Sequence, residues 1–591
     1  MNLTIFNSPV VMLCFLGIFA LPGIERALKR FMRTKGNLFL GDRCLTAWIC
    51  GLLLLSTSLR AQAKGVADLG AKQVEANQAD RNKTQSGQNY FVAPTGNDAG
   101  PGTCKRPWRT IQHAADVALA GDTVYVRKGI YHESVTIPNS GTQAGGYITF
   151  ESFPGETATL DGSTLTPPSD TWSALFYVVN QSYIIIKGFE IRNYIATVPG
   201  QEPAGILIDG YGSYIQILNN HIHSIQVLRA INGSSCDPSS CNGHGIAIYG
   251  HSPSRSLNHI VVSGNEVYNL KTGWSESVTL DGNVRNWSVV NNAIHNNDNI
   301  GIDAAGFYGF DPDPRTDYAR YGEIRGNRVY DIDTTGNPAY LNPDGTYSRF
   351  AAGIYVDGGA HIVVEQNDSY RNDLGIEVAS ENTGHNSDHV KVRNNLIYRS
   401  VNVGIAIGGY DPSVGGTSNS EIVNNTFYGN DTLHAGFGEL FIQSNVTGCV
   451  FENNLLYANA QGLFISNYIP FAPGITPVAV DYNLYFSADG ESGSNWMWNN
   501  TYYTGYANYL SDSHNDTHSL FADPELVNRN ANPPDLRTRR NSPARDAGIN
   551  LGTAILGAYD FAGNRRIRDK KTDIGAYEHT SDHGSALVPQ Q

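Results

Sequence analysis

The chain has 591 residues, a formal net charge of −14, 16% charged residues and 62 glycines. That composition excludes a helical bundle, which needs far more Lys, Glu, Leu and Ala. It also excludes nucleic acid as a partner, because no basic stripe is present to neutralise phosphates. What remains is a β-rich extracellular protein with many tight turns.

Residues 1–63 carry targeting information. The apolar stretch from Pro9 to Pro22 is too short to span a bilayer comfortably. A basic patch (Arg26, Lys29, Arg30, Arg33, Lys35), an apolar core from Leu45 to Leu59 and the small-x-small site Ala61-Gln62-Ala63 follow. From Met32 onward these are the parts of a secretory signal, residues 32–63. The expectation is an upstream start codon for residues 1–31 and a mature protein that begins near Lys64. Secretion to the extracellular space or periplasm follows, with no stable membrane association after cleavage; a two-pass anchor is the alternative. Cysteine usage agrees with export, since Cys236-Asp-Pro-Ser-Ser-Cys241 closes a tight loop suited to a disulfide.

Residues 64–89 are polar and read as a disordered linker. Residues 90–165 form an N-terminal cap with the first strands. Here Tyr90-Phe91-Val92 is a strand and Thr110–Ala118 a short amphipathic helix. Strands are predicted at Thr123–Val126, Val135–Ile137, Tyr147–Phe150 and Thr157–Asp161.

Between residues 166 and 510 one phrase recurs: aliphatic-x-x-Asn-x-(apolar or Ser)-(His, Tyr or Phe). Its anchors are Asn220, Asn265, Asn292, Asn327, Asn367, Asn395, Asn425, Asn454 and Asn483, separated by 45, 27, 35, 40, 28, 30, 29 and 29 residues. A fixed phrase with an irregular period means one rigid unit joined by loops of varying length. A partner phrase, Gly-Ile-x-(Ile or Val), starts at Gly205, Gly245, Gly353, Gly375 and Gly404, with looser copies at Ser277, Gly301 and Gly462. No helix-length segment separates these strands. Parallel strands normally need long crossovers, so a coil that returns to the same register each turn is the economical solution. The fold is all-β, a single-stranded right-handed parallel β-helix. Ile, Val and Leu point inward. Each Asn amide bonds the next Asn along the axis, satisfying turn groups that are otherwise buried unpaired, and the His, Tyr or Phe three residues on stacks likewise. These residues are structural.

The chain resembles the pectate-lyase-like β-helix superfamily. Tyr90-Phe-Val-Ala-Pro-Thr-Gly-Asn-Asp98, Pro107-Trp-Arg-Thr-Ile-Gln112, Gly121-Asp-Thr-Val-Tyr-Val126 and Gly129-Ile-Tyr131 are similar to the N-terminal cap of many secreted members. Asp523-Pro-Glu-Leu526, Asn541-Ser-Pro-Ala-Arg-Asp-Ala-Gly548 and Asp573-Ile-Gly-Ala-Tyr-Glu578 are similar to a C-terminal cap, which places a cap and tail at residues 511–591. Both motifs speak for architecture and are nearly silent on substrate. End caps also prevent edge-to-edge association.

Aligning the Gly-Ile-x-Ile strands gives two outward columns. The third position reads Leu207, Ala247, Thr279, Asp303, Tyr355, Glu377, Ala406, Phe464, and the fifth Asp209, Tyr249, Asp281, Ala305, Asp357, Ala379, Gly408, Ser466. Four consecutive rungs therefore display Asp281, Asp303, Asp357 and Glu377 on one face, with rungs about 4.8 Å apart. Carboxylates so close raise one another's pKa, and a bound cation or a catalytic role would offset that. Pairing with nearby Arg and Lys is the bland alternative. Two insertions, Gly306–Tyr321 and Thr334–Arg349, border the patch, and a third loop, Ser380–Asp388, adds Glu381, His385 and Asp388. Tyr308, Phe310, Asp311 and Asp313 are expected to bind substrate there, and Arg315 or Arg320 to meet a carboxylate in bidentate fashion. Gly243-His244-Gly245 matches only one piece of the polygalacturonase pattern. Tyr308-Gly-Phe-Asp-Pro312 resembles a stretch of mannuronan C5-epimerases that continues with His where this chain has Asp313.

Three readings follow. The favoured one is a monomeric polysaccharide lyase acting on a uronate-containing glycan by β-elimination. Ca²⁺ held by Asp281, Asp303, Asp357 and Glu377 neutralises the substrate carboxylate and lets so acidic a protein bind an acidic polysaccharide. The catalytic groups come from Asp303, Arg315, Arg320, Tyr355, His385 and Lys391, among which the sequence does not choose the base. The second is a glycoside hydrolase with a carboxylate pair. The third is a non-catalytic cell-surface or carbohydrate-binding β-helix.

Overall fold

The computed structural model describes residues 87–169, 171–227, 241–471 and 477–579. The targeting region and the linker up to residue 86 lie outside them, and Asn89, the last linker residue, opens the first strand. Cys236 also lies outside the described residues, although Cys241 is disulfide-bonded. No helix among the described residues is long and apolar enough to cross a membrane.

Three parallel sheets run the length of the coil. The first has 13 strands from Asn89–Val92 to Val478–Asp481. The second has 11, from Val135–Ile137 to Ile465–Ser466, and the third has 13, from Gly129–Tyr131 to Leu520–Phe521. Each turn passes from the second sheet to the first, then to the third, as Gln201–Gly210, Gly212–Leu218 and His221–His223 do. Inward positions stack in register: Ile206, Ile246, Val278, Ile302, Ile354, Ile376, Ile405, Leu440 and Ile465 form one continuous file. All nine are fully buried, each contributing about 1.5–3 kcal/mol of apolar burial. The glycine that opens the phrase is a packing requirement. A Cβ at Gly375 would come within 2.4 Å of the Gly404 carbonyl oxygen and of Ile397.

The turn from the first to the third sheet takes two residues. The first is left-handed, as at Asn219, Gly264, Asn291, Gly326, Gln366, Asn394, Asn424 and Asn453, with φ between 52° and 68°. Gly and Asn tolerate that region best. The second is the ladder Asn. Asn367 is representative: its Oδ1 accepts the backbone N–H and the Nδ2 of Asn327 at 2.9 and 3.0 Å, and its Nδ2 reaches the Ile324 carbonyl at 2.9 Å. Its own N–H and Nδ2 go on to Asn395 Oδ1. The ladder starts with Phe189 N–H donating to Asn220 Oδ1 and ends on Ser519 and Asp516. Beside it the rings of His223, Tyr268, His295, Tyr330, Tyr370 and Tyr398 stack with centroids 4.7–5.3 Å apart.

The N-terminal end is closed by the helix Ile111–Val117, whose first N–H groups are taken by Thr110 Oγ1 and the Glu133 carboxylate. The other end is closed by the hairpin Asn495–Trp498/Thr501–Thr504 and the helix Tyr506–Ser513, with Trp496 stacked on Tyr509 at 5.0 Å. The segment that resembles a C-terminal cap does something else: it runs back along the flank. Leu526, Leu536, Ala544, Ile574 and Ala576 pack on Tyr370, Leu396, Tyr398, Leu455 and Leu484 of the third sheet. The left-handed Asn394, Asn424 and Asn453 point outward and grip this strap at Leu556, Asp573 and Ile549.

Candidate active site

Long loops leave the second sheet on both sides, so its outer face is the floor of a groove. Register sets what stands on that floor. The first column reads Leu207, Ala247, Thr279, Asp303, Tyr355, Glu377, Ala406, Phe441. The expected Phe464 is wrong in this column. Leu440–Ile442 forms a rung that lacks the Gly-Ile phrase, and Phe464 is buried in the core. In the second column Tyr249 pairs with Asp281, and Ala305 with Asp357.

Asp281, Asp303 and Asp357 are 3%, 4% and 2% exposed. Burial first, then the surrounding carboxylates, pushes each far above the ordinary range. Glu377 rises to about 8 for the same reasons, and burial also raises Glu381. Glu276, pushed to about 8 by burial and Glu381, joins the group. The strongest charges acting on these side chains are other carboxylates, one another and, for Asp281, first of all Asp317. The Arg and Lys pairing that would make the patch ordinary is therefore not what holds it. Two carboxylates are tied by one hydroxyl: Tyr308 lies 2.5 Å from Asp357 Oδ2 and 3.2 Å from Glu381 Oε2. Asp357 Oδ1 also accepts the Glu381 backbone N–H at 2.8 Å. Asp303 Oδ1 is buried with no hydrogen-bond partner.

The expected calcium cage is not assembled. Asp281 and Asp357 are separated by the rung of Ala305, and Asp303 and Glu377 by that of Tyr355, so like positions stand about 9.6 Å apart. No three His, Cys, Asp or Glu side chains converge to hold a metal ion among the described residues.

The expected bases lie elsewhere or are occupied. Lys391 belongs to the first sheet and pairs with Glu421 at 3.4 Å. Arg315 is exposed and clasped by Asp313 at 2.7 Å. Arg320 is buried, donating to Asn283 Oδ1 and to the Thr316 and Tyr318 carbonyls. His385 stacks on Phe307 with centroids 3.8 Å apart. Tyr355 is on the floor between Asp303 and Glu377, but burial and the carboxylates hold its hydroxyl well above its ordinary pKa, so it is no phenolate. Asp311 accepts the Asp313 N–H and the Thr316 hydroxyl, bracing the loop from within. Phe310 stacks on Tyr249 at 4.2 Å and closes the upstream end of the groove. His244 lies buried 3.0 Å from the Tyr249 hydroxyl and is pushed down to about 4 by burial, hence neutral.

Downstream of Tyr308 the groove opens into a cavity of about 360 Å³, where Tyr340, Phe350, Tyr355, Tyr410, Phe437 and Phe441 surround Glu377 and Glu381. Glu276 and, Tyr355 apart, this aromatic set were not legible as a site in the sequence, and Glu381 carried no role there. Their approach depends on loop paths that no strand phrase encodes.

A chain of the same design is known in Bacillus subtilis (strain 168). The protein YwoF, itself described only as uncharacterized, is 36% identical over 464 residues, which is 78% of this chain and 93% of YwoF. The family model of the Pel9A-like right-handed β-helix region matches residues 90–234. The chain belongs to the family of YwoF, within the pectate-lyase-like right-handed β-helix superfamily. Pectate lyase PEL9 of Emericella nidulans is 36% identical over 88 residues, only 14% of this chain and 21% of PEL9. Among solved structures, XylC in complex with xylose overlaps 83% of this chain and 98% of its own at 14% identity and TM-score 0.49. Pectate lyase Pel9A overlaps 84% and 98% at 15% identity and TM-score 0.46. At these values the overlaps carry nothing about chemistry.

Proposed function

We propose that the protein is a secreted carbohydrate-active enzyme that hydrolyses a glycosidic bond with retention, using Asp357 and Glu381. The observation that carries this is the shared Tyr308 hydroxyl. Its two contacts, 2.5 and 3.2 Å, bound the Oδ2–Oε2 separation at about 5.7 Å. That suits the ~5–5.5 Å of retaining pairs and is shorter than the ~6.5–9.5 Å of inverting ones. Burial and mutual repulsion let the pair hold one proton near neutral pH. The two titrate as one coupled unit; the reactive state is the one with Asp357 ionised, which the Tyr308 hydroxyl and the Glu381 N–H favour by donating to it, and with the shared proton on Glu381.

The steps follow from these states. The Asp357 carboxylate attacks the anomeric carbon as the bond to the leaving oxygen breaks, and Glu381 gives that oxygen its proton. Water then attacks the glycosyl–Asp357 ester, Glu381 takes a proton from it, and Asp357 is released. Tyr308 remains a neutral donor, because burial and both carboxylates hold its hydroxyl far above its ordinary pKa.

β-Elimination is less well supported, since the basic side chains proposed for it are displaced or neutralised. One observation favours it still: the charges acting on Asp303 are all carboxylates, and its buried Oδ1 has no partner. Calcium belongs to that reading, and no step above depends on it. The deciding assay incubates the secreted protein with a panel of neutral and acidic glycans. Hydrolysis predicts new reducing ends, no unsaturated-product absorbance, indifference to chelator and a first-formed anomer matching the substrate. Unsaturated product that vanishes with chelator would establish the lyase instead. Glycan binding left intact by Asp357→Asn, with no turnover of any substrate, would leave only a binding module.

A further inference from the structure

We infer that the aromatic cleft beside Glu377 and Glu381 takes an uncharged sugar unit, stacked on Phe350 and Tyr410, and discriminates against uronates. The inference rests on the reading of Asp357 and Glu381 as a hydrolytic pair and adds the substrate class.

The cleft is continuous with that pair, since Glu381 lines it, and its volume falls in the lower part of the ~300–1,000 Å³ range of small-molecule sites. Its ionisable side chains among the described residues are carboxyls and tyrosines, with no Lys, Arg or His. A uronate carboxylate would lose its hydration in a low-dielectric site whose described lining offers no cation to offset the loss.

Hydrogen bonding points the same way. Asn402 is 4% exposed and lines the cleft. Its Nδ2 is committed to the Arg349 carbonyl, while its buried Oδ1 has no partner. That oxygen calls for a donor: a hydroxyl at that position of the sugar supplies one, and a carboxylate at the same position cannot. Phe350 and Tyr410, 53% and 64% exposed, offer open ring faces at the mouth. Aromatics left uncovered beside a buried acceptor suit a ring with an apolar face and hydroxyl edges.

The test is calorimetric titration of the Asp357→Asn protein, which keeps Glu381, with xylo-, gluco- and galacto-oligosaccharides and with oligogalacturonates and oligoguluronates. At least one neutral series should bind, at least about tenfold more tightly than any uronate series. In the active protein Tyr410→Ala and Phe350→Ala should raise KM about three- to tenfold with kcat nearly unchanged, and Asn402→Ala should weaken binding of the neutral series alone. Equal or tighter binding of a uronate series, or no neutral binding at all, overturns the inference. The two proposals fail separately. Glu381-dependent hydrolysis of a uronate chain would sink the neutral substrate and keep hydrolysis. Unsaturated product would sink hydrolysis while the titrations still judge the cleft.

Discussion

At the turn between the first and third sheets, nine asparagines are buried and the interior ones place their amide donors and acceptors on neighbouring rungs. On the outer face of the second sheet, Asp281, Asp303 and Asp357 are buried just as deeply and meet mainly other carboxylates. The coil could satisfy polar groups everywhere, and it does so where they hold the turn. Where it leaves charges crowded it accepts a loss of stability, because desolvated like charges cost several kcal/mol unless they take up protons.

The widest separation between the two regions should come from Asp357→Asn and Glu381→Gln. Either should cut turnover by about 10³-fold or more, with an unfolding midpoint unchanged or raised because a repelling charge is gone. A lowered midpoint with turnover intact would return the carboxylates to the structural side. Asn367→Ala should do the reverse: a loss of about 2–4 kcal/mol in denaturant unfolding, with unchanged kcat for the folded fraction.

Tyr308→Phe sharpens the contrast inside the site. Removing the shared donor should lower kcat about 10- to 100-fold and displace the pH–rate profile, whereas a purely packing role predicts an unmoved profile. The smallest effect is the pH dependence of stability. Carboxyls raised on folding bind more protons in the native than in the unfolded state between their unfolded and folded pKa values. Stability is therefore complete below the unfolded value of about 4.5 and declines as pH rises toward about 8 for Glu377. Glu377→Gln should flatten that decline between pH 5 and 8. A wild-type midpoint that rises over this interval would contradict the crowding.

The fold was legible because its two signals are local and periodic. Alternation fixes which residues point inward, and Asn367 or Asn395 announces its turn within a seven-residue phrase. Register then carried Asp281, Asp303, Asp357 and Glu377 to one face without any loop being known. Legibility ended where position depends on three dimensions. Lys391 alternates correctly but on another of the three faces, which strand periodicity does not distinguish. Asp311 and Asp313 have the residue types of a binding loop, yet their carboxylates turn back on their own backbone and on Arg315. Glu381 stands two residues beyond the strand Leu374–Ala379, and only the path of Tyr308 over the groove reveals its partner.

The flank strap changes how the coil must come together. A linear array in which each repeat touches only its neighbours frays from its ends and can be completed rung by rung. Here Arg566, fully buried against Glu578 at 2.6 Å, bonds Asn394, a residue 172 positions earlier. The rungs from Gln366 to Asn453 are thus locked by a segment 96 to 194 residues further along the chain. Their outer edge stays bare until that segment has been made, and closing it is of very high contact order. The finished protein should resist peeling from its C-terminal end, and a nick between residues 523 and 546 should loosen the middle of the coil before it loosens the last turn.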